Sequence, residues 1–483
     1  MTALRTAGAT REHAFRDVVV QVGTRVLNLA LGIVVTAVLV RTLGAGGYGQ
    51  WMTILTVFQL LGYFTSFGLE SVTVREAAAD PERTEDWVSA LLLTRLALSL
   101  PVIVAGLVAL LALRESHAML VAGLILLLEI PLSIGASFQV VHQLRMNNLV
   151  PMIVLTINSI VWGAAVIAVN VAGGGLVALA VALTLTTACT SLIQAAAALR
   201  LVRFRLRPSR PAMVRLLRTG APLGIAGLLV IAYARIDQVI VFEQVGATAA
   251  GQYGAAYRVL EQAHFVPISV ITTLAPMIAV LWPANRERMV RVVTLATELL
   301  SIGSLGALAF VIVAATPLMR FFFGAELVPG AKALPVLGAA FVFICFGYLI
   351  GNLLLVLGLA RRQVTVALLG LVANVAGNLL LVPRYGFMAA AWMTLVTEIV
   401  VVGAGLYFVL GALGRPRPSV GRLPRIVAAA GLLTALLAVI DDRGGGLAVL
   451  SVAAAVAYPV LLVVLRAVSR DEVEQLILRR GAA

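Results

Sequence analysis

Charge is scarce in this 483-residue chain: Asp, Glu, Lys and Arg make up 12% of it, against 61% hydrophobic residues and a mean hydropathy of +1.04. So little charge excludes a water-soluble fold of this size and makes the bilayer the solvent for most of the chain. Lysine is nearly absent. Lys332 is the only one, so the net charge of +14 rests on arginine. The two cysteines, Cys189 and Cys345, sit in apolar runs without CxxC spacing, which excludes a disulfide framework and a zinc site. There is no GxxxxGK[ST], HExxH or GxSxG, so P-loop, zincin and serine-hydrolase chemistry have no basis. Short loops also leave no platform for a glycosyltransferase or a glycan polymerase. The chain is expected not to be an enzyme and to hold no cofactor or metal.

What is present is a series of fourteen apolar runs, each near the length of about 20 residues that a membrane helix needs. They fall at 17–40, 48–70, 87–112, 118–139, 149–170, 175–199, 217–242, 250–281, 290–315, 332–358, 363–382, 386–410, 424–440 and 446–466. The first, Val18–Val40, exceeds a signal-peptide core and reads as a retained membrane helix. Arginine-rich breaks at 200–216 and 411–423 divide the runs into six, six and two. The expected domains are 1–207, 208–414 and 415–483, the last being helices 13 and 14 with a tail.

The arginines alternate across these runs. If the N-terminus is cytoplasmic, 26 basic residues fall on the inner side and six on the outer. The positive-inside rule then places both termini in the cytoplasm. The inner arginines suit anionic headgroups of the membrane. Nucleic acid is not an expected partner, because it would give no reason for the alternation.

Four arginines remain inside spans: Arg25, Arg95, Arg235 and Arg258. Each costs about 2.5–3.5 kcal/mol at mid-bilayer, so each should face water or a partner. Gln21, Arg25 and Asn28 share one face of the first span, and Gln59, Tyr63, Ser66 and Glu70 one face of the second. In the second half, Tyr233 and Asp237 share a face while Arg235 points elsewhere; Tyr253, Tyr257, Glu261 and His264 form a further stripe beside Arg258. Such stripes suggest a wet cavity lined by Gln21, Asn28, Gln59, Tyr63, Glu70, Tyr233, Tyr257 and Glu261. For Arg95 the expected partner is Glu70 or Glu129, for Arg258 Glu261, and for Arg235 Asp237. Asp237 is also a candidate for a coupling proton or sodium ion.

A glycine-rich stretch occurs twice. Arg41-Thr-Leu-Gly-Ala-Gly-Gly-Tyr-Gly-Gln-Trp51 follows the first span, and Val245-Gly-Ala-Thr-Ala-Ala-Gly-Gln-Tyr253 follows the seventh. Gly44 and Gly49 match Gly246 and Gly251, which points to two halves built as internal repeats.

Together with Ser66-Phe-Gly-Leu-Glu70, Leu274-Ala-Pro276 and Asn374-x-x-x-Asn378-Leu-Leu-Leu-Val-Pro383, this pattern resembles the polysaccharide-transporter or Wzx-type flippases. These belong to the multidrug/oligosaccharidyl-lipid/polysaccharide exporter superfamily, and the likeness covers roughly residues 15–410. The resemblance implies an all-α integral membrane fold of 14 helices, two six-helix lobes plus a C-terminal pair. It further implies alternating access, a polyprenyl-diphosphate-linked oligosaccharide as cargo, and Arg25, Arg75, Arg235 and Arg258 as its contacts. The setting would be the bacterial plasma membrane, with membrane lipids and a polysaccharide polymerase as partners and H+ or Na+ as coupling ion. Two relatives stay open as alternatives: a multidrug/cation antiporter and a flippase of the peptidoglycan lipid precursor.

Overall fold

A computed structural model of the chain describes the backbone of residues 2–112, 116–145, 149–200, 206–207, 209–414 and 418–468; within these, side chains are described from Leu31 onward, apart from those of 149, 150 and 223. Among the described residues there is no strand, and 13 helices are long and apolar enough to cross a membrane. The all-α membrane fold expected from hydropathy is therefore what forms. In lipid this is one of two possible solutions, because a helix satisfies its own backbone donors and acceptors. The chain divides into two compact units, Met1–Ile231 and Ala232–Ala483.

The first unit contains α1 (Thr2–Ser66), α2 (Leu69–Ala79), α3 (Thr84–Ala112), α4 (His117–Leu127), α5 (Glu129–Leu132), α6 (Gln139–Leu144), α7 (Leu149–Val171) and α8 (Leu176–Leu199). The ninth helix, α9 (Arg210–Val245), begins in this unit and ends in the second. At Gly44 (φ 65°, ψ 178°) α1 is broken between the two expected spans, in a conformation open only to glycine. The second expected span is not one helix either. Phe67 and Gly68 adopt positive φ, so α2 starts afresh at Leu69 and Glu70 leaves the stripe begun by Gln59 and Tyr63. A further irregularity is the 3-10 turn Ser133–Phe138 inside the fourth span, where Gly135 lies against the Ser191 carbonyl.

Interior packing follows membrane rules, with small residues admitting large ones. A Cβ on Gly224 would lie 2.7 Å from Phe67, and one on Gly227 would collide with the Tyr63 hydroxyl. Trp87 and Leu91 of α3 bury against Leu69 and Val72 of α2 and Leu216 of α9. Trp51 stacks on Trp162, their ring centroids 6.2 Å apart.

The second unit takes the end of α9 and adds α10 (Ala247–Ala263), α11 (Phe265–Leu281), α12 (Arg286–Phe323), α13 (Leu334–Val356), α14 (Ala360–Tyr385), α15 (Phe387–Leu413), α16 (Leu423–Asp442) and α17 (Leu447–Val464). Gly246 separates α9 from α10 with φ 105° and ψ 171°, the counterpart of Gly44. Here too the second expected helix is divided, at His264 between α10 and α11. The final pair lies on α12: Leu433, Leu437 and Leu450 cluster with Ala309 and Ala314. The Tyr458 ring seats at Gly306, its hydroxyl donates to the Ile302 carbonyl at 2.8 Å, and Arg422 pairs with Glu298 at 3.2 Å.

Candidate functional site

In the second unit, charges gather where α9 and α10 face each other. Tyr257 and Arg258 lie one turn before Glu261 on α10, spacing that lets Arg258 reach Glu261 on its own helix. Arg258 Nη1 donates to Glu261 Oε2 at 2.8 Å, and the other carboxylate oxygen, Oε1, pairs with Arg235 Nη1 of α9. The expected partner Asp237 is thus not the residue that pairs with Arg235. Two positions apart on one helix, Arg235 and Asp237 face different neighbours. Above the Tyr257 ring, the Arg235 guanidinium sits 5.6 Å from the centroid, within cation–π range. Tyr257 is fixed in turn by donating to the Ala234 carbonyl at 2.8 Å.

Asp237, 1% exposed, has a separate shell. Tyr253 donates to its Oδ2 at 2.5 Å, Thr394 of α15 donates to the same oxygen at 3.2 Å, and the Gln238 N–H donates to Oδ1 at 2.8 Å. Thr394 could not be linked to Asp237 from sequence, since 157 residues separate them. Its mark in the sequence is its place one turn before Glu398 in the apolar run opening α15. Tyr233 is buried nearby on α9, and His264 stacks on Phe341 and meets Tyr348 edge-on, with centroids 6.1 Å away in each case.

In the first unit, Gln21, Arg25 and Asn28 fall outside the described side chains. Gln59 is exposed and Tyr63 half-buried. Glu70 is the hub of a polar cluster. Arg95 Nη1 donates to Glu70 Oε1 at 2.9 Å and also to the Ser137 hydroxyl, and Gln139 Nε2 donates to Glu70 Oε2 at 2.8 Å. Of the two expected partners for Arg95, Glu70 is the one found, while Glu129 accepts from Thr187 at 2.9 Å. Arg75 is exposed and pairs with Glu76 at 3.6 Å. Glu76 also holds Arg215 of α9 at 2.8 Å, whose guanidinium lies 5.6 Å from the Trp87 centroid.

Of the groups around Glu261 and Asp237, the one on Glu261 has cation in excess. Two guanidiniums share one carboxylate, so the α9–α10 group keeps a net positive charge suited to a bound anion. Among the described residues no group of three His, Cys, Asp or Glu side chains is arranged to hold a metal.

This geometry sits in a membrane fold with known relatives. The sequence model of the family described as "Polysaccharide biosynthesis protein" matches residues 14–282, and the chain belongs to that family. Its fold is similar to that of the lipid II flippase MurJ in an inward closed conformation, with TM-score 0.74 and 14% identity over 96% of this chain and 99% of that one. It is also similar to an inward-facing multidrug resistance MATE transporter of the MOP superfamily, with TM-score 0.65 and 16% identity over 81% and 94% of the two chains. In sequence it resembles an uncharacterized membrane protein of Methanocaldococcus jannaschii, 27% identical over 197 residues; that match spans 40% of this chain and about half, 46%, of the relative. The chain is thus a multi-pass membrane protein of the polysaccharide-biosynthesis family, with the fold that these flippase and transporter structures share.

Proposed function

We propose that the protein flips a polyprenyl-diphosphate-linked oligosaccharide from the cytoplasmic to the outer leaflet of a bacterial plasma membrane. It does so by alternating access, for cell-surface polysaccharide synthesis, with both termini cytoplasmic. The observation that carries this reading is the arginine pair on Glu261 inside two membrane helices of a polysaccharide-biosynthesis family member. Guanidinium offers fixed, permanently charged forks that suit phosphate oxygens. Arg235 and Arg258, with Arg25 and Arg75, contact the diphosphate; Gln21, Asn28, Gln59, Tyr63, Glu70, Tyr233 and Tyr257 line the path. Residues 1–207 and 208–414 act as the two transport lobes, with 415–483 added. Asp237 takes the coupling ion, H+ or Na+, and a polysaccharide polymerase takes the product.

The test is the leaflet on which labelled lipid-linked oligosaccharide accumulates in a depleted strain. Trapping on the cytoplasmic side, relieved by the wild-type chain but not by Arg25→Ala or by Arg235→Gln with Arg258→Gln, supports the reading. Normal glycolipid turnover sinks it. A second reading, a flippase of the peptidoglycan lipid precursor, draws on the fold likeness to the lipid II flippase. Accumulation of that precursor, instead of the oligosaccharide, selects it. A cationic-drug exporter is disfavoured by the excess of guanidinium in the site.

A further inference from the structure

The carboxylate of Glu261 lies behind the two arginines. Its side chain is 10% exposed, against 22% for Arg235 and 36% for Arg258. An entering anion therefore meets the guanidiniums before it meets the glutamate. Each carboxylate oxygen engages one guanidinium, in the manner expected of two separate phosphate oxygens. Asp237 cannot take this place, since its oxygens are committed to Tyr253, Thr394 and the Gln238 N–H.

We propose that Glu261 is a resident counter-anion: it holds the arginine pair while the site is empty and gives up Arg258 when the cargo's diphosphate arrives. The proposal rests on the flippase reading above and adds the element that limits affinity. Arg235 is restrained twice, by Glu261 and by the Tyr257 ring, and stays in place. Arg258 is the more exposed of the two and swings to the ligand. A diphosphate diester carries two negative charges: the released Arg258 meets one, and Arg235, still on Glu261 through Nη1, offers its remaining donors to the other. Competition from Glu261 keeps that match shallow. Transport needs binding favourable enough to load and weak enough to release, and an internal rival for the same donors meets both demands.

The test uses radiolabelled farnesyl diphosphate binding to the full chain in lipid nanodiscs, with flipping of a fluorescent lipid-linked glycan in proteoliposomes as second readout. Glu261→Gln keeps the shape and removes the rival charge. It is expected to bind the probe about tenfold tighter, as loss of a close competing charge implies, and to flip more slowly because release becomes limiting. Glu261→Asp keeps the charge but draws it back by one methylene; a gain of about threefold is expected, so the idea remains testable if Gln at 261 does not fold. Unchanged or weaker binding in both folded variants, while the wild type binds, overturns the counter-anion role and leaves the flippase reading standing. Absence of probe binding by the wild type overturns both.

Discussion

The polar cluster around Glu70 offers a sharp test of how charge is tolerated in the first unit. Arg95 is nearly enclosed, with 8% of its side chain exposed, whereas Glu70 is 27% exposed. Removing Glu70 leaves the guanidinium with Ser137 and no counter-charge. Breaking a buried pair from this side costs about 3–5 kcal/mol, because the orphaned charge stays in low dielectric. Removing Arg95 is expected to cost less. Glu70 would keep the Gln139 amide at 2.8 Å and its own access to water, so Arg95→Met is worth about 1–3 kcal/mol. The double variant Glu70→Ala with Arg95→Met should fall below the sum of the singles by about 1–3 kcal/mol, the coupling of groups in direct contact. Unfolding by dodecyl sulfate in mixed micelles, followed by tryptophan fluorescence, measures all three. Singles of equal cost, or costs that add within about 0.5 kcal/mol, would refute the view that Glu70 exists to neutralise Arg95.

Three other outcomes are expected. Gly227→Ala drives a methyl group into the Tyr63 hydroxyl and should destabilise by about 1–3 kcal/mol, with Tyr63→Phe recovering part of the loss in the same unfolding assay. Asp237→Asn should leave a folded protein whose flipping no longer responds to a sodium or proton gradient; an unaltered gradient response in proteoliposomes would remove the coupling role. Tyr458→Phe loses the bond to the Ile302 carbonyl and should cost about 0.6–2 kcal/mol, read as a lowered melting temperature in detergent.

Helix positions were legible because hydropathy and length are local properties. The duplicated glycine stretch was legible for the same reason: Gly44 and Gly246 both adopt positive φ where a helix must end abruptly. Periodicity went further and placed Tyr257, Arg258 and Glu261 on neighbouring turns. It failed where the helix itself fails. The break at Phe67–Gly68 carries no proline, and continuous counting through Glu70 assigned it to a stripe it does not join, whereas the division at His264 falls where Pro267 removes the bond to the Ala263 carbonyl. Long-range partners were also out of reach. Arg235 could have turned to Asp237 by proximity along the chain, yet it pairs with Glu261, 26 positions away, and Asp237 draws on Thr394 from another helix. Which polar groups meet is decided by helix packing, and one sequence does not contain it in readable form.

The final helix pair bears on what the chain would be without it. Outward, α17 shows Val449, Val452, Val456, Val460 and Val464 to the surroundings; inward, it fits one ring into the notch at Gly306. In a bilayer both faces would be equally content among acyl chains, since lipid is as apolar as leucine. Severing the pair would therefore create no greasy surface in need of hiding. The loss would be one of form: a ring-shaped hollow on α12, refilled by a lipid tail that conforms to it less well than tyrosine does. A shortened chain should stay inserted and carry away extra lipid on purification.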